Sequence, residues 1–340
     1  MRNSCIAITG IAGFIGMHVA KALVAEGFDV VGFDNFDPCY DVSLKEARTE
    51  QLKLLGVTVD RLDLRDYDAL HAWYRTKRID ATIHLAAKAG VLDSQQHPQE
   101  FTSCNISGFV NLLEVITYKQ SGGETKQTVS TPHPLVYASS SSVYGYTDQA
   151  PFCESTPTDK CASIYGATKK CNEILAETYW HLYQIPMIGL RFFTVYGPWG
   201  RPDMAYWLFA DAISKGKEIT LFNEGKMLRD FTYIDDITSG IIASVQSLFQ
   251  DSAVEHRILN LGASTVHSLE TFVSLIEKHL GQSAQKKLLP MQKGDVPLTH
   301  ADISQAKEIL GYAPVVSLDE GLKLFTQWYQ QYHTQKIASC

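Results

Sequence analysis

The chain has 340 residues, enough for one large α/β unit with an appended lobe or for two modest domains. With 45% hydrophobic and 20% charged residues its composition is ordinary for a globular enzyme, and a formal net charge of −7 offers no field to attract nucleic acid or an anionic membrane. We therefore expect neither of those partners.

Two further features of composition narrow the class of protein. The first apolar run, residues 5–9, is too short for a signal sequence or a membrane span, so a cytoplasmic protein is expected. The seven cysteines include no Cys-x-x-Cys pair, which predicts free thiols, and no histidine spacing indicates a metal site.

The N-terminal residues read as a strand, a glycine turn and a helix. Residues 5–9 form a buried-strand pattern, and a helical pattern follows the turn as far as residue 26. A Gly-x-x-Gly-x-x-Gly turn in this context lets the backbone approach a pyrophosphate closely, and the helix N-terminus offers N–H groups to the anion. The predicted dinucleotide contacts are Gly10, Gly13, Phe14, Ile15 and Gly16.

A second strand, residues 29–33, ends at Asp34 and Asn35. These residues follow the glycine turn by about 20 positions, where a carboxylate can accept hydrogen bonds from an adenosine ribose. A 2′-phosphate would be repelled there, so NAD is preferred over NADP. The alternative for Asp34 is a simple cap at the strand end.

Further strand ends continue this cofactor edge. A helical segment at residues 44–54 leads to a strand at 57–62, and another strand covers 81–85. The small residues after the latter would let the backbone lie against the cofactor diphosphate. The contacts predicted at these strand ends are Asp63, Leu64, Ala86, Ala87 and Lys88.

The centre of the chain continues the alternation of helix and strand. Helical patterns cover residues 98–118, a polar loop is predicted at 120–133, and strands are predicted at 134–138 and 187–193. This alternation predicts a Rossmann-type, doubly wound parallel sheet whose ligands lie beyond the C-terminal strand ends.

Between those two strands, Tyr165 and Lys169 are four positions apart and therefore share one face of a predicted helix. A phenol with a pKa near 10 needs nearby cations to act as a base at neutral pH, and Lys169 can supply part of that charge. About one Tyr-x-x-x-Lys is expected by chance in such a chain, so an exposed helical pair is the alternative.

After residue 193 the strand and helix pattern loosens. We predict a Rossmann domain of residues 1–193 plus about 232–262, and a smaller mixed α/β lobe of about 194–231 plus 263–335. The lobe would cover the ligand edge of the sheet, with the substrate between the two parts.

The glycine turn, residues 84–91, the serine run before residues 143–145, and Tyr165-x-x-x-Lys169 together resemble the extended short-chain dehydrogenase/reductase family. The resemblance covers nearly the whole chain, and residues 190–205 closely resemble the UDP-glucuronate 4-epimerases. It implies an NAD-dependent enzyme with a UDP-sugar substrate. It also implies a homodimer built on helices near 98–118 and 160–183, whose apolar residues include Phe109, Leu113, Ile116, Leu175, Tyr179 and Leu182.

The resemblance also implies roles for individual residues. Ser140 would hydrogen-bond the sugar O4, Tyr165 would be the catalytic base, and Lys169 would bind the nicotinamide ribose and lower the tyrosine pKa. Asn105 is similar to the family's structural asparagine below the nicotinamide. The implied substrate contacts are Ser140, Ser141 and Ser142 near the sugar, Thr194 and Arg201 at a C6 carboxylate, and Arg229 and Asp295 at the UDP phosphate and ribose.

Each of the last assignments has a plainer alternative. Arg229 could form a surface salt bridge, Arg201 could pair with Asp203, and Asp295 could be a loop carboxylate. The chain also departs from the family pattern, because Lys88 replaces a common Gln and residues 92–94 are Leu-Asp-Ser where Arg-Tyr-Ser is common. These departures leave the substrate more open than the reaction.

Three other functions are considered on sequence grounds. Related dehydratases and decarboxylases resemble this chain but carry carboxylates where it has Ser141 and Ser142, which disfavours lyase chemistry. A non-catalytic NAD sensor would be expected to lack Tyr165 or Lys169. The strongest alternative is a 4-epimerase of a neutral UDP-hexose or UDP-N-acetylhexosamine.

Overall fold

The computed structural model describes residues 4–120, 133–147, 149–250, 255–291 and 296–338. Its strands are β1 Cys5–Thr9, β2 Asp29–Asp34, β3 Thr58–Arg61, β4 Ala81–His84, β5 Leu135–Ser140, β6 Met187–Phe192, β7 Thr194–Tyr196, β8 Glu218–Phe222, β9 Leu228–Arg229, β10 Phe231–Tyr233, β11 Arg257–Leu261, β12 His267–Ser268 and β13 Gln285–Leu289.

The α-helices are α1 Phe14–Ala25, α2 Val42–Lys53, α3 Tyr67–Arg75, α4 Val91–Gln96, α5 Pro98–Thr102, α6 Gly108–Gln120, α7 Ile164–Tyr183, α8 Ala205–Ser214, α9 Ile234–Gln250, α10 Leu269–Leu280, α11 Ser304–Leu310 and α12 Leu318–Ala338. A π-helical turn, Ser103–Ser107, joins α5 to α6, and short 3₁₀ turns cover Ser141–Tyr144 and Asn223–Gly225. Among these described helices, none combines the length and apolar character that crossing a membrane requires.

The centre of the molecule is a seven-stranded parallel sheet in the order β11-β6-β5-β4-β1-β2-β3. Its central strands β4, β5 and β6 are buried along their whole length, as expected for a parallel sheet covered by helices on both faces. The chain order reverses between β1 and β4, and ligands of such sheets bind at that point, beyond the strand ends. The predicted Rossmann-type fold is confirmed.

Two layers of helices bury the sheet. On one face α1 packs against α2 and α9, and on the other α3 packs against α6, which in turn contacts α7. Both layers have a large apolar core. Each described face of the sheet is therefore covered, and its C-terminal strand edge is the place for a ligand.

The sequence analysis missed helix α3, which lies between the strands predicted at 57–62 and 81–85. Its signal was nevertheless in the sequence. The Asp66 side chain caps the helix by accepting a hydrogen bond from the backbone N–H of Ala69, and Leu70 and Tyr74, four positions apart, are buried. The short strands β7, β9, β10, β12 and β13 were also not predicted, because two- to five-residue segments carry little periodicity.

The C-terminal part of the chain builds a second group of elements. Helix α10 packs against α8 and α12, and β8 pairs with β13. Helix α11 instead contacts α9 and β11, next to the central sheet, although the sequence analysis assigned it to the lobe. The exact division into domains stays a prediction.

The apolar residues that motivated a homodimer mostly face the sheet. Phe109, Leu113 and Ile116 are fully buried in the core, and Leu175 and Tyr179 pack against it, while Leu182 is 60% exposed. The apolar surplus inferred from the sequence is therefore smaller than expected, because helical periodicity cannot tell a face that meets a sheet from one that meets a partner. The homodimer stays a prediction.

Candidate active site

The helix that carries Tyr165 and Lys169, predicted near residues 160–183, begins at Ile164 and ends at Tyr183. Its N-cap is Ser163, whose side chain accepts a hydrogen bond from the N–H of Gly166 at 3.0 Å. The Tyr165 N–H donates to the Ser94 hydroxyl at 3.1 Å, so the first turn is also held from α4. Tyr165 is half-buried, and Lys169, one turn later, is 2% exposed.

The Tyr165 phenol lies in an environment with opposing effects on its ionisation. Burial raises the pKa of Tyr165, while a hydrogen bond with the Ser140 side chain and the positive charge of Arg201 lower it. The structure thus brings together three residues from different elements, Ser140 from β5, Tyr165 from α7 and Arg201 from the segment after β7.

Lys169 lies at the floor of this group. Its ammonium donates to the carbonyl oxygen of Ala138 at 2.8 Å, two residues before the end of β5. Burial lowers its pKa to about 8. The effect of Lys169 on the tyrosine pKa, expected from the resemblance, stays a prediction.

The serine run turns immediately after β5. The Ser140 hydroxyl oxygen accepts a hydrogen bond from the N–H of Ser142 at 3.1 Å, and Ser141 and Ser142 open the 3₁₀ turn. A Cβ at Gly166 would lie 2.5 Å from the Ser142 carbonyl oxygen. Helix α7 can therefore reach the serine turn only because Gly166 has no side chain.

The glycine turn has the geometry of a dinucleotide cradle. Gly10 has φ +71°, and a Cβ there would lie 2.8 Å from the backbone of Ala86. A Cβ at Gly16 would lie 2.3 Å from the Gly10 carbonyl oxygen. Both positions exclude any side chain, and α1 begins directly after Gly13 with its first N–H groups at the sheet edge. Phe14 is buried and Ile15 half-buried in that first turn.

The acidic residues after β2 and β3 have partners that the sequence did not reveal. One carboxylate oxygen of Asp34 accepts hydrogen bonds from the Phe36 N–H at 2.8 Å and from the Lys45 ammonium at 3.1 Å. Asp34 is therefore a strand-end cap as well as a candidate ribose ligand. Lys45 is 7% exposed and its ion pair with Asp34 is buried.

Asn35 donates its amide to Asp63 at 3.0 Å, which joins the ends of β2 and β3. Hydrogen bonding from Arg65 lowers the pKa of Asp63 well below its ordinary value. Leu64 is buried against Gly108, where a Cβ would lie 3.1 Å from the leucine Cβ. The ends of β2 and β3 thus carry the carboxylates of Asp34 and Asp63 at the predicted adenosine edge.

The segment after β4 is clamped by Asn105. This residue, 2% exposed, accepts from the Lys88 N–H at 2.8 Å and donates to the Lys88 carbonyl at 2.9 Å and the Thr168 hydroxyl at 3.0 Å. Asn105 therefore links the loop to the catalytic helix, and its placement in the π-helical turn is what aims it there. Ala86 and Ala87 lie half-buried in the same loop.

The Lys88 ammonium reaches two acids. It lies 2.5 Å from Glu100 and 3.4 Å from Asp37. Burial lowers the pKa of Lys88, but the hydrogen bonds and charges of these two acids outweigh burial, so the pKa is raised. The side chain thus bridges the loop after β2 and helix α5. The Lys88 backbone lies at the predicted cofactor edge.

Arg201 is paired with Asp203, the alternative considered from the sequence. Two of its nitrogens donate to the Asp203 carboxylate at 3.0 and 2.5 Å, and Nη2 also donates to the Ala89 carbonyl at 3.0 Å. Arg201 has 21% of its side chain exposed, against 45% for Asp203. The Arg201 guanidinium is therefore partly accessible to a substrate, and its acidic partner in the structure is the more exposed Asp203.

The remaining substrate candidates lie on the short strands. Thr194 is the first residue of β7 and half-buried, and its N–H donates to the Asp230 carbonyl at 3.1 Å. Arg229 in β9 donates to the Leu228 carbonyl at 3.0 Å and to the Met227 sulfur at 3.2 Å. Asp295 lies outside the described residues. The role of Arg229 at the UDP phosphate stays a prediction.

Sequence reasoning missed a buried pair behind the site. Arg191 of β6 and Glu173 of α7 form two hydrogen bonds at 2.8 and 2.9 Å, and Ser139 donates to the same glutamate at 2.7 Å. Glu173 follows Lys169 by four positions, so a helical search from the Tyr-Lys pair could have found it. The pair fixes the catalytic helix to β6, and the Ser139 hydrogen bond fixes it to the serine strand β5.

A parallel dinucleotide-binding sheet, a glycine cradle, and a tyrosine and lysine on one helix beside a strand-end serine define the short-chain dehydrogenase/reductase class of enzymes. Across the described residues, no group of three or more His, Cys, Asp and Glu side chains could hold a metal ion.

The chain belongs to the NAD dependent epimerase/dehydratase family, which matches residues 6–262. It is 42% identical to UDP-glucuronate 4-epimerase 4 of Arabidopsis thaliana, covering 97% of this chain and 76% of the relative. It is 45% identical to an uncharacterised protein of Methanocaldococcus jannaschii over 97% of each. The expected membership of the extended short-chain dehydrogenase/reductase family is confirmed.

Solved structures give the same assignment. The UDP-glucuronic acid 4-epimerase of Bacillus cereus, in complex with UDP-glucuronic acid and NAD, has a TM-score of 0.86 and 34% identity, covering 96% of this chain and 99% of that one. The UDP-glucose 4-epimerase of Thermotoga maritima, with UDP-glucose, has a TM-score of 0.84 at 26% identity, covering 97% and 99%.

Proposed function

We propose that this protein catalyses the NAD-dependent 4-epimerisation of a UDP-hexuronic acid, interconverting UDP-glucuronate and UDP-galacturonate through a transient 4-keto sugar. The observation that carries the proposal is the position of Arg201, which donates to the Ala89 carbonyl in the loop after β4 at 3.0 Å and whose positive charge lowers the pKa of the Tyr165 phenol. In a hexuronate the carboxylate is two bonds from C4, so a cation beside the base that serves O4 is also within reach of that carboxylate.

The residues present fit NAD as the resident cofactor. The cradle at Gly10 and Gly16 has room for backbone only, and Asp34 offers a carboxylate at the expected ribose position. Lys169 would bind the nicotinamide ribose. When bound, NAD supplies the capacity to accept a hydride from C4 and to return it.

The protein groups handle the proton at O4. Tyr165 as phenolate takes the O4 proton when the alcohol is oxidised, and Ser140, hydrogen-bonded to the phenol, holds O4 in line with it. When the ketone has turned its other face, Tyr165 returns the proton to O4. The cycle consumes no external oxidant, so the cofactor must stay bound throughout.

Two features favour epimerisation over elimination or decarboxylation. The turn after Ser140 carries the hydroxyls of Ser141 and Ser142, so the general acid and base that a dehydratase needs to expel a C6 hydroxyl are missing from those two positions. Arg201 with Thr194 would hold the C6 carboxylate and so oppose its loss as CO₂. Both features concern the region around the tyrosine.

The second candidate is a 4-epimerase of a neutral UDP-hexose, since the chain is also similar in fold to the UDP-glucose 4-epimerase of Thermotoga maritima. A neutral sugar would leave Arg201 with Asp203 as its sole anionic partner, which is the arrangement seen in the structure. The relatives at 42 to 43% identity are UDP-glucuronate 4-epimerases, and they support the hexuronate.

The deciding experiment incubates the purified protein separately with UDP-glucuronate, UDP-glucose and UDP-N-acetylglucosamine and separates the products by chromatography. The proposal expects UDP-galacturonate from the first and at least tenfold slower conversion of the others. Faster conversion of a neutral sugar would select the second candidate.

The assembly and location belong to the same proposal. A homodimer is supported by the exposed apolar residues Ile174 (56%) and Leu182 (60%) on α7, the helix on which the resembling enzymes pair. A cytoplasmic location is supported by the scattered free cysteines in the described residues.

A further inference from the structure

The backbone just before Arg201 is held by a buried arginine from a distant helix. Arg48 of α2 donates from Nε and Nη2 to the Trp199 carbonyl at 3.0 and 2.7 Å, and from Nη2 to the Gly200 carbonyl at 2.9 Å. Trp199 has φ +60°, a left-handed conformation that is unfavourable for a bulky residue. Residues 198–200, called the 198–200 turn below, thus contain a strained residue whose carbonyl, like that of Gly200, is hydrogen-bonded by Arg48.

The third carbonyl of the 198–200 turn has a separate anchor. The Nε2 atom of His18, in α1, lies 2.9 Å from the Pro198 carbonyl oxygen. Burial lowers the pKa of His18 to about 4, so at neutral pH the ring is uncharged and donates from Nε2. All three carbonyls of the turn are therefore bound by side chains of the dinucleotide-binding half.

The other end of Arg48 reaches the cofactor cradle. Its Nη1 donates to the Ala12 carbonyl at 3.2 Å and to the Tyr40 hydroxyl at 2.7 Å. Ala12 lies inside the glycine turn, and Tyr40 lies in the loop after β2. One guanidinium, with 0% of the residue exposed, connects the glycine turn, the loop after β2 and the 198–200 turn.

The chemistry of these contacts requires arginine. Each acceptor that Arg48 binds in the described part of the chain is an uncharged carbonyl or hydroxyl, and four of them are served by three nitrogens of one planar fork. A lysine ammonium is a point donor and could not span them. A buried charge without a described acidic partner is costly for folding, and the hydrogen bonds of Arg48 to four acceptors offset that cost.

The turn that Arg48 holds fixes the start of Arg201. The Arg201 N–H donates to the Tyr206 hydroxyl at 3.0 Å, and a Cβ at Gly200 would lie 2.0 Å from that hydroxyl. The backbone of Arg201 therefore has one position as long as the 198–200 turn is in place. From there Nη2 of Arg201 donates to the Ala89 carbonyl at 3.0 Å, and the positive charge of Arg201 lowers the pKa of Tyr165.

We propose that Arg48 is a positioning residue, which holds the carboxylate-binding Arg201 at a fixed position relative to the glycine turn of the cofactor cradle. Recognition of the C6 carboxylate then depends on contacts that Arg48 makes in the dinucleotide-binding half. The inference rests on the proposed function, because it concerns the grip of Arg201 on a hexuronate. It assigns to α2 a part in substrate specificity.

The test is a double-mutant cycle measured as binding by calorimetry. All proteins carry Tyr165→Phe, which should slow turnover by roughly 10² to 10⁴ so that binding can be measured, and retain their copurified cofactor. The dissociation constants of UDP-glucuronate and of UDP alone are measured with Arg48→Met, with Arg201→Ala and with both. Arg48→Met should weaken UDP-glucuronate by roughly tenfold, the order of one lost hydrogen bond to a charged group, and UDP by less than about twofold.

The coupling between the Arg48 and Arg201 substitutions distinguishes a positioning role of Arg48 from a general destabilisation of the binding site. If Arg48 acts through Arg201, Arg48→Met should have less than a twofold effect once Arg201→Ala is present. Lys45→Met is the matched control, because Lys45 is an equally buried cation one turn earlier in α2 whose partner is Asp34. It should show no coupling to Arg201→Ala.

Arg48→Lys keeps the positive charge and serves as a second variant in case Arg48→Met misfolds. It should weaken UDP-glucuronate binding by roughly threefold, and this loss should also disappear once Arg201→Ala is present. Equal weakening with and without Arg201, or full binding of UDP-glucuronate by Arg48→Lys, would overturn the proposal. Failure of the proposed function would show separately, as a wild-type protein that does not epimerise UDP-glucuronate, and would remove this inference with it.

Discussion

The proposed ion pair between Arg201 and the C6 carboxylate of the substrate can be tested directly. Oxidation of a glucuronate at C4 creates a β-keto acid, which loses CO₂ readily when the C5–C6 bond aligns with the ketone π system. A guanidinium that binds the carboxylate through two hydrogen bonds fixes its plane and position, and the Thr194 hydroxyl can add a third. Arg201→Ala removes this restraint while leaving Tyr165 and Ser140 in place.

The size of the effect follows from the contacts of Arg201. Two hydrogen bonds to a charged group are worth about 3 to 6 kcal/mol together. Substrate must first displace Asp203, whose half-exposed pair with Arg201 is worth at most about 1 kcal/mol. Arg201→Ala should therefore weaken UDP-glucuronate by about 2 to 5 kcal/mol, or roughly 30- to 5,000-fold in dissociation constant.

The assay follows product identity as well as rate. Turnover of UDP-glucuronate by Arg201→Ala, analysed by mass spectrometry, should yield a UDP-pentose that has lost CO₂ beside any UDP-galacturonate. Asp203→Asn is the matched control, because it removes the competing acid and keeps Arg201. It should bind UDP-glucuronate as well as the wild type or better, and release no pentose.

The reasoning would be refuted by unchanged kinetics of Arg201→Ala on UDP-glucuronate. If that variant also kept normal activity on a neutral UDP-hexose, the neutral-sugar function would replace the proposed one. Equal losses on both sugars would instead indicate that Arg201 supports the fold of the site and has no particular role at the carboxylate.

Four other outcomes are expected. Tyr165→Phe should lower turnover by roughly 10² to 10⁴ without weakening UDP-sugar binding, and a loss under tenfold in steady-state assays would remove Tyr165 from its role. NAD should copurify, and spectrophotometry should detect no stoichiometric release of NADH during turnover. Because the pKa of His18 is about 4 when folded and near 6.5 when unfolded, the unfolded chain gains a proton first as the pH falls, and stability drops below pH 6.5. Urea unfolding should therefore show that His18→Gln reduces the stability lost between pH 7.5 and 5.5 by about 1.3 kcal/mol, and an equal loss in both proteins would contradict the neutral ring. Sedimentation should find a dimer that Leu182→Glu weakens, and a wild-type monomer at micromolar concentration would contradict the dimer.

Local patterns carried most of what could be predicted from the sequence. The glycine turn, the strands of the sheet and the start of α7 depend on residues within a few positions of one another, such as Ser163 capping Gly166. Strand ends of a parallel sheet meet at one edge, so the cofactor residues could be grouped without knowing their contacts. Residue types and spacing sufficed there.

The partners of those residues could not be predicted, because they are distant in sequence and alike in type to surface residues. Arg48 and Trp199 are 151 positions apart, and Arg191 and Glu173 look in the sequence like any helix or strand charges. Lys45 is a similar case, because its sequence context does not distinguish a lysine that is buried in an ion pair with Asp34 from one that is exposed to solvent. Only three-dimensional packing selects which charges are buried.

The ionisation of Tyr165 links these residues to the catalytic cycle. Burial raises its pKa, and among the cations described Arg201 is the one that lowers it, so the phenol stays protonated at neutral pH in the protein alone. A substrate carboxylate on Arg201 would neutralise that help. We expect Lys169, whose ammonium donates to the Ala138 carbonyl at 2.8 Å in the protein alone, to supply part of the charge that would ionise the base, and bound oxidised NAD would supply more. The base would therefore form only in a fully loaded site, as a redox-neutral cycle with a bound cofactor requires.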